Sequence, residues 1–191
     1  MGELNQHPLS QFNCNVFIET GTGKGTGMDY VVNSGFPFKT IHTIEIIPEL
    51  YDFSKNINID RRVIFHLGHS TDILDKILPT IDKEDRILFW LDAHFPGVDF
   101  GLGIGKYVFD EENIPTEQEL KVIKKWRGNC KDSIILDDLR IYENGNFQLG
   151  DLDIGKQKSG IGFIENLFSE THNFLRDYRH QGFLILTPKG L

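Results

Sequence analysis

The chain has 191 residues, of which 39% are hydrophobic and 25% are charged, and its formal net charge is −8. This length allows one α/β domain with its own core but not two full domains. The acidic balance disfavours a nucleic-acid partner, because nucleic-acid-binding domains usually present a basic face. No apolar run reaches the roughly 18 residues that span a bilayer, so we expect no membrane span.

The two cysteines, Cys14 and Cys130, are far apart in the sequence and show no metal-binding spacing. The first residues carry neither a basic start nor an apolar segment, so they do not resemble a signal peptide. Both observations predict reduced thiols and a cytoplasmic location.

Short apolar runs alternate with helical patterns, and this alternation predicts a β-α unit repeated five times. Pro48 suits the first turn of the second helix, and Ser70 or Thr71 is predicted to cap the third. Such repeats form a parallel sheet with helices on both faces. The predicted strands are 15–19, 39–45, 62–68, 86–94 and 132–138, and the predicted helices are 28–35, 47–56, 70–78, 116–126 and 160–170.

The end of the chain follows a different pattern. Two further predicted strands, 173–179 and 182–188, are joined by the short H-Q-G connection, which is typical of an antiparallel hairpin. The predicted fold is therefore one α/β domain over 1–191. It has a Rossmann-like, mostly parallel sheet of seven strands and an antiparallel C-terminal hairpin. The long irregular segment 95–114 is predicted to be a lid or substrate loop over the site, with a simple insertion as the alternative.

A glycine-rich stretch, E-T-G-T-G-K-G-T-G, follows the first predicted strand at 19–27. It does not match a nucleoside-triphosphate P-loop, because Gly25 stands where the motif needs serine or threonine after Lys24. It does not match the G-x-G-x-x-G dinucleotide loop either, since the third glycine would fall on Thr26 or Met28. The pattern that fits is E-x-G-x-G-x-G.

This pattern, formed by Glu19, Gly21, Gly23 and Gly25, resembles that of the class I S-adenosylmethionine-dependent methyltransferases. The resemblance implies that the loop, with Thr20, binds the cofactor and that Glu19 helps to position the cofactor's amino-acid end. Glycines at the carboxyl end of a first strand let the backbone approach a ligand closely.

Two further stretches are compatible with a nucleoside. Glu45 ends the second predicted strand, 20 residues after Gly25, and suits the two ribose hydroxyls, although a dinucleotide would need the same contact. In the methyltransferases the turn after the third strand lies near the adenine. The resemblance therefore implies that Ser70 or Asp72, within 68–72, contacts the base, whereas the alternative for Ser70 is a simple helix cap.

Three aspartates stand at the ends of neighbouring predicted strands: Asp92 after the fourth, and Asp137 and Asp138 after the fifth. Carboxylates that converge there would repel each other unless they were protonated or bridged by a cation, and oxygen ligands suit Mg²⁺, Mn²⁺ or Ca²⁺. The arrangement resembles that of the metal-dependent sugar O-methyltransferases of the macrocin, mycinamicin and novobiocin type. The resemblance implies that Asp92, Asp137 and Asp138 hold Mg²⁺ or Mn²⁺, with Asp92 also beside the cofactor; the alternative is ordinary loop hydrogen bonding.

His94 would project to the same side as Asp92 if the strand continued. The resemblance to the sugar enzymes, which have an acid or a histidine proposed as the base at this position, implies that His94 and Asp92 are catalytic and that His94 is the base; the alternatives for His94 are a structural or a substrate-binding role. The L-D-A-H stretch also resembles the D-A-H-x-D motif of arginase-like hydrolases, but Pro96 replaces the last aspartate.

The resemblance implies an S-adenosylmethionine- and divalent-metal-dependent O-methyltransferase of a sugar hydroxyl in a glycan, for example on a deoxysugar such as rhamnose. Such a domain would be fused to, or work with, glycosyltransferases, and the sequence does not indicate an oligomeric state. The alternatives are methylation of a catechol-like or other vicinal diol, a non-catalytic nucleoside-binding module, and a nicotinamide oxidoreductase.

Overall fold

A computed structural model describes residues 3–102, 113–152 and 158–190. Within these ranges the strands are β1 (Val16–Thr20), β2 (Thr40–Glu45), β3 (Val63–Leu67), β4 (Ile87–Leu91), β5 (Ser133–Leu136), β6 (His172–Asp177) and β7 (Phe183–Pro188). The helices are α1 (Thr26–Asn33), α2 (Pro48–Ile57), α3 (Ser70–Ile77), α4 (Thr116–Arg127) and α5 (Gly162–Phe168). Short 3₁₀ turns lie at Leu4–Gln6, Leu9–Phe12, Leu78–Thr80, Val98–Phe100 and Leu139–Ile141.

The described strands form one seven-stranded sheet in the order β3-β2-β1-β4-β5-β7-β6. The first five strands are parallel, and β7 lies antiparallel between β5 and β6. The predicted fold class, including the C-terminal hairpin, is confirmed. None of the helices in the described ranges is long and apolar enough to cross a membrane.

The central strands are apolar because both faces of the sheet are covered. Every residue of β1 and β4 is buried, and neighbouring positions serve opposite sides of the sheet. Ile18 and Phe89 belong to one hydrophobic cluster, whereas Phe17 and Trp90 belong to the other. The strands are therefore fixed from both sides, and their carboxyl ends form a rigid edge.

The structure corrects two predicted strand ends and one predicted cap. β4 ends at Leu91 instead of His94, because its last partner on β1 is Thr20. β5 ends at Leu136, and the chain then turns at Asp138, which has a φ of 52°. Helix α3 begins at Ser70 after His69, and no side chain caps it, so the cap predicted at Ser70 or Thr71 is wrong.

A buried ion pair stabilises the opposite edge of the sheet. The guanidinium of Arg127, at the end of α4, donates to both carboxylate oxygens of Asp132, each at 2.9 Å, and both side chains are nearly inaccessible to water. Arg127 also donates to the backbone carbonyls of Asp82 and Asp85, and Asp132 accepts the backbone N–H of Ile87. One pair therefore connects α4 with the starts of β4 and β5.

We expect Arg127→Met to lower the free energy of unfolding by about 3 kcal/mol, because it leaves the carboxylate of Asp132 buried without its cation. Urea denaturation measures this change. Lys121→Met is the matched control, since Lys121 pairs with Glu117 at an exposed site of the same helix. The control should change stability by less than about 1 kcal/mol, and equal losses in both variants would contradict the role of Arg127.

Candidate functional site

A cleft of about 870 Å³, counted with its open mouth, lies at the carboxyl ends of β1, β2 and β4. Open parallel sheets place their ligand sites at this edge. Strand ends, the glycine loop and the segment after β4 all contribute side chains to the lining. These include Glu19, Gly21, Gly23, Glu45, Ser70, Trp90, Asp92, His94, Phe95 and Phe100.

The glycine loop needs its glycines for two physical reasons. Gly21, Gly23 and Gly25 have φ angles of 79°, 54° and 84°, in the left-handed region that other residues rarely adopt. Space is also missing, because a Cβ at Gly21 would collide with the backbone carbonyl of Asp92. A Cβ at Gly27, at the start of α1, would collide with the carboxylate of Glu19. The loop therefore packs directly against two of the predicted site residues.

Glu19 is buried at the end of β1, with 2% of its surface exposed. The hydroxyl of Thr43 donates to its Oε2 at 2.7 Å. Burial is the main reason that the pKa of Glu19 is raised to about 8; the Thr43 hydrogen bond opposes this shift, and the nearby charge of Glu45 adds to it. At neutral pH this side chain is mainly protonated until a cation approaches it.

Glu45 fixes the glycine loop to β2. Its Oε2 accepts the backbone N–H of Gly23 at 2.7 Å, and its Oε1 accepts those of Ile46 and Ile47 at 2.9 Å. Burial raises the pKa of Glu45, and the three N–H groups oppose this shift. Because a carboxylate has about four acceptor positions, about one remains for a ribose hydroxyl.

Glu119 is a buried acid near the cleft that was not predicted. It lies on the inner face of α4 and is fully buried, near the hydroxyls of Thr20 and Ser70. Burial raises its pKa to about 7, while the two hydroxyls lower it. In the described structure its oxygens and these hydroxyls do not reach full hydrogen-bond geometry. The sequence feature that could have predicted its burial is its position four residues before Ile123, which places both side chains on the same face of α4.

His94 reaches Asp92 by a tight turn. The N–H of Asp92 donates to the carbonyl of Thr20, and the N–H of His94 donates back to the carbonyl of Asp92 at 3.0 Å. The Nδ1 of His94 then lies 3.5 Å from Oδ1 of Asp92. The predicted proximity is present, but strand alternation, on which the prediction rested, is not its cause.

Asp137 follows β5 and is buried, with 2% of its surface exposed. Neither of its carboxylate oxygens accepts a hydrogen bond within the described ranges. Burial raises the pKa of Asp137 well above its usual value, and the charge of Asp92 adds to this shift. One ligand atom each from Asp92, His94 and Asp137 lies within 4.8 Å of the others.

Asp138 has a different environment from Asp137. The Nε of Arg140 donates to its Oδ1 at 2.9 Å, and its Oδ2 lies 3.8 Å from Nε2 of His94. Arg140 was not predicted, although its position two residues after Asp138 was the available signal. Of the three predicted aspartates, Asp92 and Asp137 lie together with His94, and Asp138 is paired with an arginine.

The described part of the predicted lid covers the glycine loop. A Cβ at Gly23 would lie 2.8 Å from the ring of Phe100, and Nζ of Lys24 lies 5.4 Å from the centre of that ring. Residues 95–102 therefore form one wall of the cleft. Residues 103–112 of the predicted lid lie outside the described ranges.

Comparison with known proteins reveals similarity only at the level of fold. No protein-family model and no curated protein matches the sequence. Among solved structures, the Podospora anserina methyltransferase PaMTH1 with bound S-adenosylhomocysteine superposes with a TM-score of 0.57 at 18% identity, over 92% of this chain and 72% of the other. The O-methyltransferase TomG from Streptomyces achromogenes, involved in tomaymycin synthesis and in complex with S-adenosylmethionine, superposes with a TM-score of 0.55 at 12% identity, over 94% and 75%.

A third structure, the O-methyltransferase from Bacillus cereus in complex with S-adenosylhomocysteine, superposes with a TM-score of 0.53 at 14% identity, over 92% of this chain and 74% of the other. The chain thus has the Rossmann-like methyltransferase fold. At these identities the similarity establishes the fold alone, and the chemistry has to be inferred from the residues of the site.

We expect Gly21→Ala to lower the free energy of unfolding by about 3 kcal/mol, since it combines a strained φ with a collision against fixed backbone. Gly35→Ala is the control, because Gly35 has a similar φ of 70° but a Cβ added there would meet nothing within 4 Å. It should cost only about 1 to 2 kcal/mol. Equal losses in urea denaturation would show that the contact with the Asp92 backbone is unimportant.

Glu19→Gln should remove a pH dependence of stability. Since burial raises the pKa of Glu19 from 4.5 to about 8, the folded chain keeps a proton that the unfolded chain has lost; the resulting stabilisation is complete below about pH 4.5 and is lost as the pH rises to 8. Glutamine has no such proton, so the variant should gain stability relative to the parent by up to about 1.4 kcal/mol per pH unit between pH 5 and 8.

Urea denaturation at several pH values measures this difference. Glu117→Gln, at the exposed start of α4, is the control and should show a flat difference. A flat difference for Glu19→Gln as well would contradict a protonated, buried Glu19.

Proposed function

We propose that this chain is an S-adenosylmethionine-dependent O-methyltransferase that transfers a methyl group to a sugar hydroxyl of a glycan or glycoconjugate, with the help of Mg²⁺ or Mn²⁺. One observation carries the proposal. A single cleft is lined by the glycine loop with Glu19 and Glu45 and by Asp92 and His94, and these last two residues form an acidic cluster with the buried Asp137 behind them.

The charge of the cleft favours a cationic cofactor. S-adenosylmethionine carries a sulfonium and an ammonium group, whereas a dinucleotide carries an anionic pyrophosphate. Glu19 and Asp92 lie against the glycine loop, where a dinucleotide would place its pyrophosphate. A cation can replace the proton of Glu19, whereas a pyrophosphate would be repelled by Asp92. The solved structures of the same fold that hold S-adenosylmethionine or S-adenosylhomocysteine give independent support.

The residues after β4 and β5 fit a divalent cation. Asp137 keeps both oxygens without a hydrogen-bond donor in the described ranges, although it is buried next to Asp92. Buried carboxyl groups in such a position are neutralised by a proton or by a cation, and a divalent cation would bind two of them at once. When bound there by Asp92 and Asp137, the ion would orient vicinal hydroxyls and lower the pKa of the attacking one.

The remaining residues of the cleft position the reactants. Asp92 borders both the cofactor side and the acidic cluster, so it links the two ligands. Phe95 and Phe100 wall the cleft and limit the access of water to the methyl group. His94 as the base stays a prediction, because its two ring nitrogens lie toward Asp92 and Asp138.

A sugar acceptor is supported by the aspartate pattern and by the need for vicinal hydroxyls at the cation. Glycosyltransferases would then supply the acceptor, either on the same polypeptide or as separate enzymes. The net charge of −8 disfavours nucleic acid, and the two free thiols fit a cytoplasmic site of action.

Calorimetry and a transfer assay test the proposal together. We expect S-adenosylhomocysteine to bind and NAD not to bind, because the cleft is acidic. With labelled S-adenosylmethionine and Mn²⁺, methyl transfer should occur to a member of a panel of sugars with vicinal hydroxyls. Excess chelator should reduce the rate at least about 100-fold, which corresponds to roughly 2.7 kcal/mol of barrier.

Each contrary result would indicate a different function for this chain. Binding of NAD without S-adenosylhomocysteine would indicate an oxidoreductase. Binding of S-adenosylhomocysteine without transfer to any diol would indicate a nucleoside-binding module. Transfer to catechols alone would replace the sugar with an aromatic diol, and full activity in chelator would remove the metal.

A further inference from the structure

We infer that the cation site is a mixed nitrogen and oxygen site formed by Asp92, His94 and Asp137, and that it prefers a first-row transition metal to Mg²⁺. This inference rests on the proposed function for the presence of a metal. It changes the ligand set expected from the sequence, because His94 replaces Asp138 and cannot serve as the free base.

The geometry of the cluster supports this ligand set. One atom each from the two carboxylates and the imidazole lies within 4.8 Å of the others, and this is the only such group of three among the described residues. Ligands at about 2.1 Å from one ion are at most about 4.2 Å apart, so small rotamer adjustments bring all three into contact. The tight turn at 92–94, anchored to the end of β1 by Asp92, holds the imidazole near the carboxylate of Asp92.

Asp137 is the second observation that indicates a cation. Its side chain is nearly completely buried, and neither oxygen accepts a hydrogen bond within the described ranges. The neighbouring charged groups that act on its carboxylate are Asp92, His94 and Asp138. A neutral structural role would leave these oxygens hydrogen-bonded, as most buried polar atoms are.

Asp138 is held in a different interaction. Its left-handed backbone, with φ of 52°, directs the side chain to Arg140, whose Nε donates at 2.9 Å. Gln181 also approaches the same carboxylate, at 3.5 Å. Ligation by Asp138 would compete with this ion pair, whereas Asp137 has no such pair to weaken. Asp138 therefore borders the site and is not a ligand.

The ligand types decide the metal class. Mg²⁺ prefers oxygen ligands alone, whereas an imidazole nitrogen favours Mn²⁺, Co²⁺, Ni²⁺ or Zn²⁺. With two carboxylates and one imidazole, affinity should rise from Mg²⁺ through Mn²⁺ to Co²⁺. A site made of Asp92, Asp137 and Asp138 would not show this dependence on nitrogen.

Spin-echo spectroscopy of Mn²⁺ bound to the unmodified chain tests the inference without relying on activity. We expect modulation from a directly bound nitrogen, and this signal should change when the protein is labelled with ¹⁵N-histidine. Titration should show Co²⁺ binding at least about 10-fold more tightly than Mg²⁺. The absence of a histidine nitrogen on the bound ion would overturn the inference.

Variants separate the two ligand sets. His94→Ala and Asp137→Asn should each weaken Mn²⁺ binding at least about 10-fold, while Asp138→Asn should change it less than about threefold. Asparagine is the matched choice at position 138, since it tolerates the left-handed backbone. A loss for Asp138→Asn as large as that for Asp137→Asn would overturn the inference.

Binding of S-adenosylhomocysteine, measured on the same proteins, keeps the two proposals apart. Retained binding in His94→Ala shows that the variant is folded and that the metal effect is local. If the parent chain binds Mn²⁺ through His94 but does not bind S-adenosylhomocysteine, the proposed function fails and the metal site stands.

Discussion

Burial of carboxylates at the carboxyl edge of the sheet is the constraint on which the site depends. Three carboxyl groups are almost completely buried, and burial raises the pKa of each of them: Glu19, Glu45 and Asp137. The structure meets the cost in different ways. Backbone N–H groups satisfy Glu45, a hydroxyl and a bound proton satisfy Glu19, and no described donor satisfies Asp137. The carboxyl group of Asp137 is therefore the one of these three that a bound cation would stabilise most.

The fold creates this constraint, because parallel strands bring their carboxyl ends to one edge. The cores on both faces of β1 and β4 fix the strand ends, and the buried pair of Arg127 and Asp132 fixes the opposite edge. The glycine loop can then lie directly on the backbone of Asp92. Acids far apart in sequence thus become neighbours that cannot move away from each other.

The sequence predicted those parts of the molecule that depend on local pattern or simple topology. Apolar runs identified β1 and β4, and strand order explains why Glu45 and Asp92 reach the same cleft. The sequence did not predict features that depend on contacts between residues far apart in the chain. β4 ends where β1 ends, and Glu119 meets Ser70 only after α4 packs on α3. Residues 103–112 of the predicted lid remain a prediction.

The same charges bear on how the proposed reaction would proceed. If the chain binds S-adenosylmethionine as proposed, methyl transfer would turn the sulfonium into a neutral thioether, and one positive charge would be lost inside an acidic cleft. Glu19, Glu45 and Asp92 then attract the product less than the substrate, because the Coulomb attraction between a carboxylate and a nearby cation disappears. Glu19, with its pKa of about 8, can regain a proton and remain buried at low cost. Burial of acids beside the cofactor therefore favours binding before transfer and release after it.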